Sequence, residues 1–236
     1  MLALVGGDEF NPGNEEQDRV LAAAARAGPA YVVPTAAARQ DPGGAVAHAT
    51  AWFKQFGLDL SELPVRKRTD AMSAAIAESA RQGGFFYLVG GDPGLVAQVL
   101  RGSPVWAAIF EAWRGGASLA GSSAGAMALC SHTLVRARWP NRFNRRPVDA
   151  LGLLADTAVL PHFDTFGHRW IDSARQAAPG MTLLGVDERS AVVWQDGAWR
   201  AAGPGAVTVM KGQTTATFAS GAMVPGLRVP ARILPR

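Results

Sequence analysis

Short apolar runs alternate with amphipathic stretches along residues 1–190. Residues 2–5 (Leu-Ala-Leu-Val), 31–34, 85–89 and 157–161 are unbroken apolar segments of strand length, with a weaker one at 58–65 and another at 181–186. Between them, residues 15–27, 44–56, 70–82, 95–100 and 104–113 carry helical signals. In the second of these Val46, Ala49 and Phe53 share a face, and the third ends at Gly83-Gly84, a helix stop. Continuous apolar strands separated by helices predict an α/β fold: an open, mostly parallel sheet with helices on both faces. From Ala191 the texture changes to short strands (192–194, 206–210, 214–218) joined by tight turns such as Gln195-Asp196-Gly197. The pattern predicts one domain over 1–236, with a parallel α/β core (1–190) and a small antiparallel β appendage (191–236) at the sheet edge. No internal repeat interrupts it.

Residues 117–129 concentrate the chemistry. An apolar run enters Gly121-Ser122-Ser123-Ala124-Gly125 and leaves through small, helix-compatible residues. Strand, sharp turn and helix make a nucleophile elbow, and counting from the two glycines puts Ser123 at its tip. The glycines suit a turn whose backbone neighbours approach closely. The helix that follows would aim its N–H groups at the site, Ala124 being one donor to an oxyanion.

A serine needs a base within hydrogen-bond reach. The chain has four histidines. His132 falls nine residues past Ser123 on the expected elbow helix, about 13 Å along its axis, and His48 lies in an early helix with no strand end behind it. His162 stands at the carboxyl end of the 157–161 strand, where ligands of open α/β sheets gather, and is the first choice. His168, at the start of the next helix, is the second. The 181–186 strand ends in Asp187-Glu188, of which only one can turn to the site. Gly90-Gly91-Asp92 ends another strand and offers a second oxyanion N–H.

Other signals are weaker. Residues 6–10 spell G-G-D-E-F, the signature of diguanylate cyclases, but only five residues precede it and a turn, Asn11-Pro12-Gly13-Asn14, follows, so that reading is rejected. Residues 136–146 hold Arg136, Arg138, Arg142, Arg145 and Arg146 with Trp139 and Phe143 among them: a solvated loop, a rim presenting guanidinium groups to an anion, or, with least support from one short loop, an RNA contact through interleaved arginine and aromatic side chains.

Net charge is +4 with only three lysines, so the basicity is almost all arginine, which fits anionic small molecules better than a nucleic-acid surface. A content of 48% hydrophobic and 18% charged residues is that of a soluble protein. The single cysteine, Cys130, excludes an internal disulfide and a cysteine-based zinc site. Without a signal-peptide core or a run of transmembrane length, the expectation is a cytoplasmic protein with no membrane or nucleic-acid partner. No metal-binding spacing is present, so no cofactor is expected. The assembly is left open, a homodimer included.

Four motifs in order, G-G-D (90–92), G-S-S-A-G-A (121–126), P-H-F (161–163) and G-V-D-E (185–188), resemble the cyanophycinase/aspartyl dipeptidase (dipeptidase E) family of serine peptidases. The resemblance implies a three-layer, flavodoxin-like fold similar to class I glutamine amidotransferases. It also implies Ser123 as nucleophile, His162 as base, Glu188 as orienting acid, and oxyanion N–H groups from Gly91 and Ala124. Asp92 and Arg169 are the expected substrate-binding residues, and the substrate a small aspartyl-containing peptide. Cyanophycinases carry D-Q before the histidine and Gln after G-G-D, where this chain has Leu160-Pro161 and Pro93. Aspartyl dipeptidases share P-H-F-D but take their acid from between Ser and His, which here means Asp149 or Asp156; Asp187 is the remaining alternative. A cyanophycinase-type exopeptidase acting on aspartate–arginine peptides and a non-catalytic small-molecule-binding protein of the same fold are the other readings. A glutamine amidotransferase would need cysteine at the elbow, and Cys130 lies seven residues beyond it.

Overall fold

The computed structural model describes residues 1–136 and 144–233. The strands in chain order are β1 (Leu2–Val5), β2 (Ala30–Val33), β3 (Leu60–Glu62), β4 (Phe85–Leu88), β5 (Ser118–Ser122), β6 (His132–Arg136) and β7 (Arg145–Asp149). They continue with β8 (Thr157–Leu160), β9 (Thr182–Val186), β10 (Ala191–Gln195), β11 (Ala198–Ala202), β12 (Ala206–Lys211) and β13 (Thr214–Ala219). The helices are α1 (Glu15–Ala23), α2 (Pro42–Lys54), α3 (Arg68–Ala71), α4 (Ala74–Gln82), α5 (Pro93–Leu100), α6 (Pro104–Arg114), α7 (Ala124–Leu129) and α8 (Ile171–Ala177).

A seven-stranded sheet runs in the order β11-β10-β1-β5-β4-β2-β3, parallel from β1 to β3. Successive strand residues face opposite sides and feed two cores. Leu2, Leu4, Phe86, Leu88 and Leu119 pack with residues of α4, α5, α6 and α7. Ala3, Val5, Phe85, Tyr87 and Ala120 pack with Leu21 of α1 and with Ala49, Trp52 and Phe53 of α2. Helices on both faces of a largely parallel sheet are the predicted α/β architecture.

Three features differ from expectation. The 157–161 and 181–186 strands do not extend the main sheet. They pair with each other as β8 and β9 in a second, four-stranded sheet, β13-β12-β9-β8. The place beside β1 is taken by β10, antiparallel with Leu2 opposite Trp194. An unbroken apolar run announces burial on both faces, not the sheet in which it is buried. The C-terminal strands accordingly serve two sheets: β10–β11 lengthen the first and β12–β13 the second. The expected 70–82 helix is two helices, because Ser73 leaves helical geometry (φ −71°, ψ 122°) and caps α4 through a hydrogen bond from the Ile76 N–H. Finally, the elbow helix is short. It ends at Leu129, so His132 is not on it but opens β6, which forms an antiparallel ladder with β7. The expected irregular stretch is therefore strand at both ends; Arg138, Trp139, Arg142 and Phe143 lie outside the described residues.

Candidate active site

The carboxyl ends of β1, β5 and β4 lie side by side, with Val5 opposite Ser122 and Gly121 opposite Leu88. Their continuations, Gly6 to Phe10, Ser123, and Gly90-Gly91, therefore meet at one edge, where open α/β sheets gather ligands. The second sheet is docked onto this edge by main-chain bonds: His162 N–H to Gly6 O at 2.7 Å, Arg189 N–H to Gly7 O at 2.9 Å, and Gly6 N–H to Ser190 O at 2.9 Å. Two sheets thus deliver what one was expected to carry.

Ser123 sits at φ 46°, ψ −109°, a conformation costly for a residue with a Cβ. Its N–H donates to Val5 O at 3.0 Å, which pins the turn to β1. The glycines on either side allow close approach: a Cβ at Gly121 would lie 2.6 Å from the Gly125 carbonyl carbon, and one at Gly125 2.2 Å from Leu88 O.

His162 Nε2 is 3.0 Å from Ser123 Oγ, and His162 Nδ1 is 2.7 Å from Glu188 Oε1. The imidazole is closely packed. Phe166 stacks on it at 4.8 Å between centroids and 20° between planes. Gly7 also lies against the ring, where a Cβ would be 2.3 Å from His162 Cε1. Glu188 Oε1 also accepts from Thr165 Oγ1 at 3.3 Å, and the Glu188 N–H donates to Asp164 Oδ1 at 3.0 Å. The other acids are engaged elsewhere. Asp187 accepts the Ala206 N–H at 2.8 Å, and burial pushes its carboxyl above the ordinary range. Asp149 pairs with Arg101 at 2.9 Å and Asp156 with Arg228 at 3.1 Å. His168 is exposed and bonds Phe163 O, His132 faces Ser131 and Asp149, and His48 packs edge-on to Phe10.

Ala124 is the first residue of α7, so its N–H has no carbonyl to accept it within the helix. At the β4 turn, Gly90 N–H goes to Glu9 Oε1 (2.7 Å) and Asp92 N–H to Ala36 O (2.9 Å). The intervening Gly91 N–H has no acceptor among the described residues. Gly91 and Ala124 both line the cavity over Ser123.

Comparison with known proteins settles the family. Residues 1–201 match the profile of peptidase family S51. The chain belongs to that family. The cyanophycinases of Synechococcus elongatus and Thermosynechococcus vestitus are each 30% identical to it over 187 residues, covering 76% of this chain and 57% of theirs. The chain thus spans little more than half the length of these curated relatives. The crystal structure of a peptidase from an acI-B1 actinobacterium superposes with a TM-score of 0.80 at 28% identity, covering 94% of this chain and 95% of that one. A putative peptidase E protein from Listeria monocytogenes EGD-e shares the fold, with a TM-score of 0.60 at 16% identity over 92% and 96% of the two chains.

In this S51 chain the cavity over Ser123 measures about 720 Å³, and Arg39, Arg136, Arg145 and Arg146 line it. Arg136 and Arg145 are directly opposed across the β6–β7 ladder, an unfavourable like-charge pair without an anion between them. The Arg145 guanidinium lies 4.0 Å over the Trp170 ring, and its buried Nε has no acceptor among the described residues. Burial, with Arg136 nearby, lowers its pKa.

The two expected substrate contacts fare differently. Asp92 lines the cavity, but one carboxylate oxygen caps α5 through the Gly94 and Leu95 N–H groups. Arg169 is exposed and outside the lining; its turn presents Phe166 and Trp170 to the cavity instead. The sequence reading also missed Arg39, which follows a 3-10 turn after β2, and Glu9, inside the rejected G-G-D-E-F string. Among the described residues no cluster of His, Cys, Asp and Glu could hold a metal, and no helix is long and apolar enough to cross a membrane.

Proposed function

We propose that this chain is a serine peptidase that cleaves small acidic peptides, aspartyl peptides above all, through an acyl-enzyme on Ser123. The observation that carries the reading is the hydrogen-bonded chain Ser123–His162–Glu188, at 3.0 and 2.7 Å, whose Ser123 and His162 line a cavity that four arginines also line. His162 Nε2 takes the Ser123 proton as Oγ attacks the scissile carbonyl carbon. The oxyanion that forms is met by the N–H groups of Gly91 and Ala124, each worth roughly 2.7–4 kcal/mol in such a site. Glu188 holds the ring tautomer and stabilises the imidazolium. His162 then gives its proton to the leaving amine, and water, deprotonated by the same ring, releases the acid and restores Ser123.

The four arginines support an acidic substrate. Each charge-assisted bond from a guanidinium to a carboxylate contributes about 1.5–3 kcal/mol where water is excluded. Arg145 is the part-buried member; Arg39, Arg136 and Arg146 are exposed and contribute less. Kinship with cyanophycinases supports a second reading, an exopeptidase on aspartate–arginine peptides, but an arginine-lined cavity opposes an arginyl side chain. A panel of Asp-X, Asn-X, Ala-X and β-aspartyl-arginine peptides, assayed with the parent and Arg145→Ala, tests both. Asp-X is expected to be cleaved at least tenfold faster than Ala-X, with most of that ratio lost in Arg145→Ala. Equal rates on Ala-X, or an unchanged ratio in the variant, would refute the arginine clamp.

A further inference from the structure

Glu9 is an acid at this edge whose carboxylate bridges two strand ends and which the catalytic cycle does not use. Its Oε1 accepts the Gly90 N–H at 2.7 Å and its Oε2 accepts Ser122 Oγ at 2.9 Å. One carboxylate therefore ties the β4 turn to the residue before the nucleophile, across strands β4 and β5. It fits with no slack: a Cβ at Gly90 would lie 2.8 Å from Glu9 Oε1 and 3.5 Å from Ser123 Cβ.

The backbone around Glu9 is held to present it. Asp8 and Phe10 both have positive φ, 54° and 61°, a conformation that persists only where surroundings over-determine it. Asp8 is fixed by Arg189 at 3.2 Å and by the Asn11 amide at 2.8 Å, and its carbonyl accepts from Asn14 Nδ2 at 2.8 Å. Phe10 is buried against Tyr87, 4.9 Å between centroids. Glu9 alone of the three points its side chain at the site.

Resting on the serine-peptidase reading, we propose that Glu9 is a positioning residue that sets the oxyanion site by orienting the Gly90–Gly91 peptide. Of the three successive N–H groups of the turn, the first goes to Glu9 and the third to Ala36 O, while the second, that of cavity-lining Gly91, has no acceptor among the described residues. Release of the first lets the peptide rotate, and the Gly91 N–H leaves the position where the oxyanion forms. Electrostatics cannot be the benefit, because a carboxylate beside a developing oxyanion raises its energy. The contribution is geometric, against the charge.

That opposition supplies the test. Glu9→Gln keeps an acceptor for Gly90 N–H and a donor for Ser122 Oγ while deleting the charge. Glu9→Asp keeps the charge but is one methylene too short to reach both partners. Both variants and the parent are assayed for kcat and KM on an aspartyl peptide, and for the Ki of a peptide boronate that forms a tetrahedral adduct with the serine. Glu9→Gln should stay within about fivefold of the parent. Glu9→Asp should lose roughly 10–100-fold in kcat and in boronate affinity with KM within about threefold, since full removal of one oxyanion donor costs on the order of 10²–10³. A merely structural role would move KM as well. If Glu9→Gln falls as far as Glu9→Asp, or Glu9→Asp matches a working parent, the inference fails and the peptidase reading stands. A parent that neither cleaves nor binds the boronate overturns both.

Discussion

Replacing Glu188 by Gln isolates the electrostatic part of the proposed triad. The amide matches the carboxylate in shape, so packing and the Thr165 contact survive, while the charge facing His162 is removed. A 2.7 Å contact between His162 Nδ1 and Glu188 Oε1 places the charge centres about 4 Å apart once the ring is protonated. At the effective dielectric of about 20 suited to a partly exposed pair, that attraction is on the order of 4 kcal/mol. The side chains are 20% and 22% exposed, enough for water to screen some of it, so about 3–4 kcal/mol is the expected loss. It acts on the imidazolium, which exists only after proton transfer, so kcat should fall roughly 10²–10³-fold with KM within about threefold. Steady-state kinetics on an aspartyl peptide, with Asp149→Asn and Asp156→Asn alongside, measure it. Those two acids pair with arginines away from His162 and are 59% and 66% exposed, so each should change kcat by less than about threefold. A larger loss from either aspartate than from Glu188 would refute the assignment.

Two further outcomes follow from the buried layer beneath the site. Gly7→Ala should cost most of the activity while the protein still folds, because the new Cβ would lie 2.3–2.8 Å from three atoms of the His162 ring; wild-type kcat in this variant would contradict the account of how the ring is held. Asp18 accepts the Trp52 indole N–H at 2.8 Å, and burial above all pushes its carboxyl from 3.8 to about 7. Because the folded value is raised, its favourable contribution is complete below about pH 4 and is lost as pH rises to about 7. At 1.36 kcal/mol per pH unit the loss is on the order of 4 kcal/mol. Urea unfolding at pH 4 and pH 8 should show Asp18→Asn gaining on the parent by an amount of that order at the higher pH, and an unchanged difference would refute it.

What was legible in the sequence was local. Gly121, Ser123 and Gly125 announce a sharp turn by composition, and strand-end logic finds His162 and narrows the acid to Asp187 or Glu188, between which the family resemblance, not the spacing, chose Glu188. What was hidden depends on partners distant in the chain. Nothing in residues 157–160 states that β10 occupies the place beside β1, so the second sheet could not be read. Glu9 is distant in sequence from both groups it holds, Gly90 and Ser122, and its own neighbourhood resembles an unrelated signature. Arg169 was favoured for its nearness to His162 in sequence, but a 3-10 turn sends it outward while an antiparallel ladder brings Arg145 in. Arg145 was legible only as one of five arginines on a possible rim; what singles it out, its place opposite Arg136 and its stacking on Trp170, depends on the pairing of β6 with β7.

The central claim is that Ser123, and not its neighbour Ser122, becomes acylated. Peptide mapping by mass spectrometry after treatment with a fluorophosphonate tests it most directly, on the parent, Ser123→Ala and Ser122→Ala. A single adduct on Ser123 is expected in the parent and in Ser122→Ala, with none in Ser123→Ala. An adduct on Ser122, or undiminished labelling of folded Ser123→Ala, would contradict it.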